Sequence, residues 1–427
     1  MFADRDLEMR TNKLSEASCS AGCVPGGRVL KIDMDGMDQA KFKAPRNISN
    51  AKNMQDLWRP SIHVVGILIW GLIEAYVLME PDIPKDSSMQ ITMLCLALNF
   101  ARQRLTAKGM DMPLHLVVQA DNTCRETKNN PFLTFVGLLV TWGVFKSVSV
   151  QFHRVGHTHG PIDQRFSVVA TVISRRRVLQ VMEDFANAIE GGVRPCGNRI
   201  LKTYICRVTY DFQQWLWMNL GISTPGITPN PFAGDLHTAH CWRLVRRVDL
   251  PDFEQSRADQ WEPEELDASL AHENDTVLLL KEWASSQCLT QCPLVLIPHI
   301  IAVGLKASSP GVMCRTPLGS RPIREYRATA RVIVKPPWNH IKAAEWLLAW
   351  TFANEQGRFG VGAPSAKDVF QFVWDADRIQ DRLVVDPLGW HAFAPHEILV
   401  RKVAVTRTQN PRPKKRAKPI DDVALPG

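Results

Sequence analysis

The sequence predicts an α/β fold in which a mixed sheet is flanked by helices, and three observations lead there. Apolar and polar residues alternate in RVLKIDMD (28–35) and SVSVQFHRV (147–155), the two-residue period of a strand. Ile91, Leu94, Cys95 and Leu98 recur at i, i+3, i+4 and i+7, the period of one helix face. Between residues 28 and 173 the segments follow the order strand, strand, strand, helix, strand, helix, strand, helix. That interleaving buries a sheet between helices.

The elements follow in chain order. Residues 1–27 are polar and Gly/Ser-containing and read as a flexible N-terminal segment. In the first strand Leu30, Ile32 and Met34 take one face, and Lys31, Asp33 and Asp35 the other. The stretch SIHVVGILIWGLIEAYVLME (61–80) approaches the ~20 apolar residues of a membrane span. Glu74 lies inside it, however, and Gly66 and Gly71 punctuate it, so two strands turning near Trp70-Gly71 are expected and no membrane is implied. Ser87-Ser88 opens a helix that stops before Gly109. LHLVVQAD (114–121) is a strand, and NPFLTFVGLLVTWGVF (130–145), apolar all round, a buried helix. After the strand beginning at Ser147, Pro161 suits the first turn of a last helix.

With 427 residues the chain has room for more than one domain. Hydrophobic residues make up 45% and charged residues 22%, the balance of a globular protein rather than a disordered one. The expected division is a core domain at 28–185, its extension at 186–250, and an acidic linker at 251–275. A second α+β globular region would occupy 276–400, and a disordered basic tail 401–427. The formal charge of +8 favours an anionic partner, such as nucleic acid or an anionic membrane surface. The ten cysteines include only two close pairs, Cys19/Cys23 and Cys288/Cys292, neither with a second pair at finger-like spacing, which disfavours structural zinc. No secretory h-region follows Met1, so an intracellular location with reduced thiols is expected. Residues 401–419 carry eight Lys/Arg and no acid; Lys414, Lys415 and Arg416 are read as phosphate contacts or as a nuclear-localisation signal. Arg175, Arg176 and Arg177 form a second candidate phosphate-contacting patch.

Three aspartates stand where this element order brings strand ends and a helix start together. Asp35 ends the first strand, Asp121 ends LHLVVQAD, and Asp163 opens the last helix. Carboxylates from separate elements are what two hard cations about 3.5–4 Å apart require. Each aspartate alone also reads as an ordinary turn or N-cap residue.

The strings DGMDQAKFKAPR (35–46), ADNTCRETKNN (120–130) and VGHTHGPIDQRFS (155–167) resemble the motifs of an uncharacterised eukaryotic domain family of transposase-derived type. The element order is likewise that of the RNase H fold. The resemblance implies an RNase H-like core of the DDE/DDD transposase and integrase kind, with Asp35, Asp121 and Asp163 as catalytic metal ligands for Mg²⁺ or Mn²⁺. It makes Asp38, Asn122, Lys128, Asn129, His157 and His159 candidates for supporting or substrate-contacting roles. It further implies a nucleic-acid partner, DNA before RNA, and is compatible with a homo-oligomer, while the nuclear location rests on the basic run at 411–418. The third acid is Asp where many transposases use Glu.

Other readings stand beside this one. A domesticated relative would keep the fold and basic surface and bind DNA or protein without turnover. KIDMDGMD resembles the first motif of haloacid-dehalogenase-type phosphatases, which would make Asp33 a nucleophile and Asp35 a general acid. The Gly-His-Thr-His of 156–159 resembles the last motif of metallophosphoesterases.

Overall fold

A computed structural model describes residues 2–20, 28–38, 42–47, 57, 59–81, 83–153, 160–220, 239–250, 272–286, 294–297, 299–313, 329, 342 and 364–376. The 28–35 strand and its neighbours form as the alternation dictates: β1 is Val29–Gly36, β2 His63–Ile69, β3 Ile73–Met79, β4 His115–Ala120 and β5 Ser147–Phe152. The helices are α1 Phe2–Ser18, α2 Ser87–Thr106, α3 Asn130–Thr141, α4 Pro161–Arg175, α5 Met182–Gly192 and α6 Phe212–Leu220. Later strands are β6 Ile200–Cys206, β7 Cys241–Arg246, β8 Thr276–Lys281 and β9 Leu294–Ile297, and α7 is His299–Leu305.

These strands join in one mixed nine-stranded sheet of order β9-β8-β7-β5-β4-β1-β2-β3-β6. β1 runs antiparallel to β2, and β2 antiparallel to β3. On its other side β1 is parallel to β4, and β4 parallel to β5. β1 is therefore central, and β1, β4 and β5 end at the same sheet edge. The turn between β2 and β3 falls at Trp70-Gly71, where Gly71 has φ of 83°. A Cβ there would lie 2.8 Å from the Glu16 Cα, so glycine serves both the turn and the seating of α1.

One face of the sheet is mostly apolar. Leu30, Ile32 and Met34 of β1 join Val65, Ile67 and Ala75 against α2 and α3 in the larger core. α3 is apolar on every side because it is covered on every side; Trp142, just after it, donates to the Ala302 carbonyl at 2.7 Å and packs on Trp374. The opposite face carries a second core under α4 and α5, built from Val64, Leu68, Ile162, Phe166, Phe185 and others.

The chain departs from the sequence expectations in four places. Residues 2–18 form a helix rather than a flexible lead-in. Its buried face is polar, and Ser15 and Ser18 accept from the backbone N–H groups of Lys31 and Val29, so no apolar stripe advertises it. α2 is capped by Asp86, one residue early, because the buried Ser88 hydroxyl instead accepts from Gln213 N. α3 ends at Thr141, with Gly143 in the left-handed region breaking the apolar run that follows. The described strands of 276–400 do not build a separate unit: β8 pairs with β7, and β7 pairs with β5. An unpaired β5 would leave its hydrogen-bonding edge bare, and these strands cover it. β6 and β7 extend the core sheet on both sides. Residues 251–271 and 377–427, which hold most of the acidic stretch and the basic tail, lie outside the described residues.

No helix among the described residues is long and apolar enough to cross a membrane, and 61–80 is the β2–β3 hairpin. Cys19, Cys95, Cys124, Cys196, Cys206 and Cys241 are free thiols.

Candidate active site

The register of the central strands sets the site. Met34 of β1 pairs with Ala120 of β4, and Ala120 pairs with Phe152 of β5. One residue further along, Asp35, Asp121 and His153 come into a row at the sheet edge. Neighbouring strands are about 4.8 Å apart, so the two aspartates are side by side. Alternation turns them to the polar face, since Met34 and Ala120 belong to the apolar core.

Asp163 arrives from above. On the other side of β1, Asp35 pairs with Gly66, and a Cβ on Gly66 would meet Phe166 of α4 at 2.5 Å. The first turn of α4 is thereby pressed onto the sheet beside Asp35. Asp163 closes that turn by accepting from Gly160 N at 3.2 Å. His153 reaches the same corner: the position a Gly160 Cβ would take is 3.5 Å from both Asp163 Oδ2 and His153 Cε1.

The turn after β4 supplies a fourth acid, Glu126, whose Oε2 accepts from Gln90 Nε2 of α2 at 2.9 Å. Burial pushes the Asp35 carboxyl up to about 7, against a hydrogen bond from Gly36 N, and the charges of Asp121, Asp163 and Glu126 push it further the same way. Asp35 therefore sits within the field of three other carboxylates. That is what like charges sharing a site do to one of their number.

The other sequence-predicted residues divide. Asn129 caps α3, accepting from Phe132 N at 3.1 Å while its amide donates to the Cys124 carbonyl, so both ends serve the loop. Lys128 is buried, with its ammonium 5.5 Å from the centre of the Phe152 ring, and burial lowers it to about 8. Asn122 is half-buried, its backbone N–H donating to Asp121 Oδ1 at 2.7 Å. Asp38 is exposed just past β1. Arg175, Arg176 and Arg177 are exposed at the far end of α4, remote from its first turn. His157, His159, Lys414, Lys415 and Arg416 lie outside the described residues. Sequence reasoning missed Glu126 and His153. His153 was legible as the residue immediately following a strand that ends beside the LHLVVQAD strand, whereas Glu126 lies in a turn with no periodicity to place it.

Oxygen donors of this kind suit a hard divalent cation such as Mg²⁺ or Mn²⁺. Among the described residues, no three His, Cys, Asp or Glu side chains stand together at metal-ligating positions. Both oxygens of Asp121 are engaged within its own turn, by Asn122 N and the Thr123 hydroxyl. The donor chemistry suits a hard cation, but the carboxylates as they stand do not form a metal-ligating group among the described residues.

Residues 52–228 match the model of a domain of unknown function, DUF7869. The DUF7869 match takes in Asp121, Glu126, His153 and Asp163, and it begins after Asp35. No curated protein and no solved structure matches the chain.

Proposed function

We propose that this protein acts on nucleic acid through an RNase H-like, transposase-type core, with a DDD-type site for phosphodiester cleavage or strand transfer at Asp35, Asp121 and Asp163. The observation that carries the reading is that Asp35 and Asp121 directly follow the paired residues Met34 and Ala120 at the shared end of two parallel strands, with Asp163 on the helix that follows β5. The order β3-β2-β1-β4-β5, with only β2 reversed, supports the same reading, being the arrangement of an RNase H-like sheet.

On this reading Asp35, Asp121 and Asp163 would hold Mg²⁺ or Mn²⁺, with Glu126 near. When bound, the cations supply neutralisation of the phosphate charge and a more acidic attacking hydroxyl. The chain's own contribution is to hold carboxylates together at a cost in mutual repulsion. With no cation, Asp35 holds a proton up to about pH 7 and can exchange it near neutrality. His153, beside Asp163, offers a hydrogen-bonding imidazole at the same corner.

The test is cleavage of end-labelled DNA with Mn²⁺, comparing wild type with Asp35→Asn, Asp121→Ala and Asp163→Asn. Loss of at least a hundredfold in each is expected; cleavage that survives Asp121→Ala intact would sink the reading. DNA as substrate, a nuclear location and self-association belong to the same proposal, the location motivated by the basic run at 411–418. Microscopy of a fluorescent fusion and sedimentation of the purified protein check those two parts.

One observation favours a non-catalytic relative that binds DNA or protein: the Asp121 carboxylate is already satisfied within its own turn. Absence of any Mn²⁺-dependent rise in melting temperature would select it. The haloacid-dehalogenase-like reading fares worse. Asp33 is buried, held by Lys31 at 3.2 Å and by the Trp70 indole N–H at 2.8 Å, which leaves it no path to a substrate phosphate.

A further inference from the structure

We propose that Arg46 and Arg59, together with the run Arg175–Arg177, form a binding site for the phosphodiester backbone of a nucleic-acid strand leading away from the acidic cluster. The inference deepens the nucleic-acid reading above and depends on it for the class of ligand.

Three separate segments bring these arginines together. Beyond the start of β2 the chain pairs with residues 42–47: Ile62 N donates to the Phe42 carbonyl at 2.9 Å and Ala44 N to the Pro60 carbonyl at 3.0 Å. Lys43 and Ser61 form a bridge between them, so Arg59 and Arg46 lie at neighbouring positions across the pair. Arg46 and Asn47 then pair with Leu179 and Val178, which draws in the run that ends α4. Phe42, Ala44, Ile62 and Leu179 pack beneath as part of the second core and fix the three segments in place.

The electrostatics of Arg59 ask for an anion. Both arginines are only partly exposed, and the Arg59 Nε is buried with no hydrogen-bond partner among the described residues. Burial lowers the proton affinity of both guanidinium groups, and the charge of Arg46 lowers that of Arg59 further. The acids that follow the run in sequence are committed elsewhere: Glu183 pairs with Arg207 at 2.8 Å, and Asp184 accepts from Gln180 N and Val181 N and pairs with Lys342. A phosphodiester oxygen accepts from guanidinium N–H groups in a two-pronged geometry that arginine matches and lysine does not.

Position ties this site to the acidic one. Arg59 stands seven residues before Gly66, the partner of Asp35, which is about 23 Å at 3.3 Å per strand residue. Arg175 stands twelve residues after Asp163 along α4, about 18 Å at 1.5 Å per residue. The two routes agree on about 20 Å, or roughly six nucleotides at 3.4 Å per nucleotide of one strand. A strand whose reacting phosphate sits at Asp35 would thus lay a phosphate on the arginines about half a dozen nucleotides away.

The experiment is fluorescence anisotropy with a 20-nucleotide single strand and a 20-base-pair duplex, in EDTA, across a salt series. Arg46→Gln/Arg59→Gln should weaken binding about tenfold or more and flatten the salt dependence by roughly two charges. Arg46→Lys/Arg59→Lys should fall between. Because the first pair is partly buried, Arg175→Gln/Arg176→Gln/Arg177→Gln provides an exposed counterpart, expected to weaken binding severalfold with an unchanged melting temperature. Unaltered affinity and salt slope in the glutamine variants would overturn the proposal. So would stabilisation by inorganic phosphate without any oligonucleotide binding. Since no metal is present, arginine-dependent binding by a protein that never cleaves would uphold this site while the proposed chemistry falls.

Discussion

Phe166 lies on Gly66 at a distance that only glycine permits: a Cβ there would stand 2.5 Å from Cε1 and 2.9 Å from Cζ of the ring, with Ile162 at 3.3 Å. This contact sets how closely α4 approaches β1, and hence how near Asp163 comes to Asp35. Gly66→Ala should destabilise the protein by about 1–3 kcal/mol, as overpacked cores do. Urea denaturation measures it, and Phe166→Leu in the same chain should recover part of the loss by giving the methyl room.

Asp35 makes stability depend on pH in a direction opposite to that of a salt-bridged acid. Its folded pKa is raised from 3.8 to about 7, so the folded state binds more protons than the unfolded one between those values. Stability is therefore greatest near pH 4 for this group and is lost as pH rises through 7. Asp35→Asn should match wild type at pH 4 and exceed it at pH 8, by up to ~4 kcal/mol for a shift of about three units. A denaturation series across that range reads it; equal stability at pH 8 would contradict the burial of this carboxyl and, after it, the nearness of the other carboxylates.

Glu74 anchors the same helix from below. Fully buried on β3, it accepts from Arg165 Nε at 2.7 Å and the Tyr76 hydroxyl at 2.8 Å. Cys196 N adds a bond at 3.3 Å. Arg165→Met strands a buried carboxylate and should destabilise by about 3–5 kcal/mol, while Arg165→Met/Glu74→Gln should recover much of it. A double-mutant cycle by chemical denaturation gives the coupling.

The thiols should separate by reactivity. Burial raises Cys19 to about 11 and Cys241 to about 12, while Cys124 and Cys196 are exposed. A maleimide pulse at pH 7 followed by peptide mapping should label Cys124 and Cys196 quickly, and Cys19, Cys95 and Cys241 only on unfolding.

Much of the core was legible in the residues because each element carried its own period. Alternation placed β1, with Lys31, Asp33 and Asp35 on one face, and the i, i+3, i+4, i+7 pattern placed α2. The three aspartates could be assigned to strand ends and a helix start for the same reason. α1 was not legible, since its packing rests on serine-to-backbone hydrogen bonds and on Asn12 and Glu8 around the buried Lys31. The joining of β8 and β9 to the core was hidden too: an apolar run such as TVLLLK records that a strand is buried, and not which edge it completes. Glu126 and the arginine pair escaped because turns and short ribbons bring residues together without periodicity.

The DUF7869 match starts at residue 52, past the end of β1. A fragment cut to that match would hold β2 and β4 with nothing between them, although in the sheet each hydrogen-bonds to β1 rather than to the other. It would keep two of the three aspartates and lose the strand that sets them against one another. The stretch recognisable between relatives is thus smaller than the stretch that can fold, and an expression clone designed on the former should yield insoluble protein, whereas one that reaches back through α1 keeps the middle of the sheet.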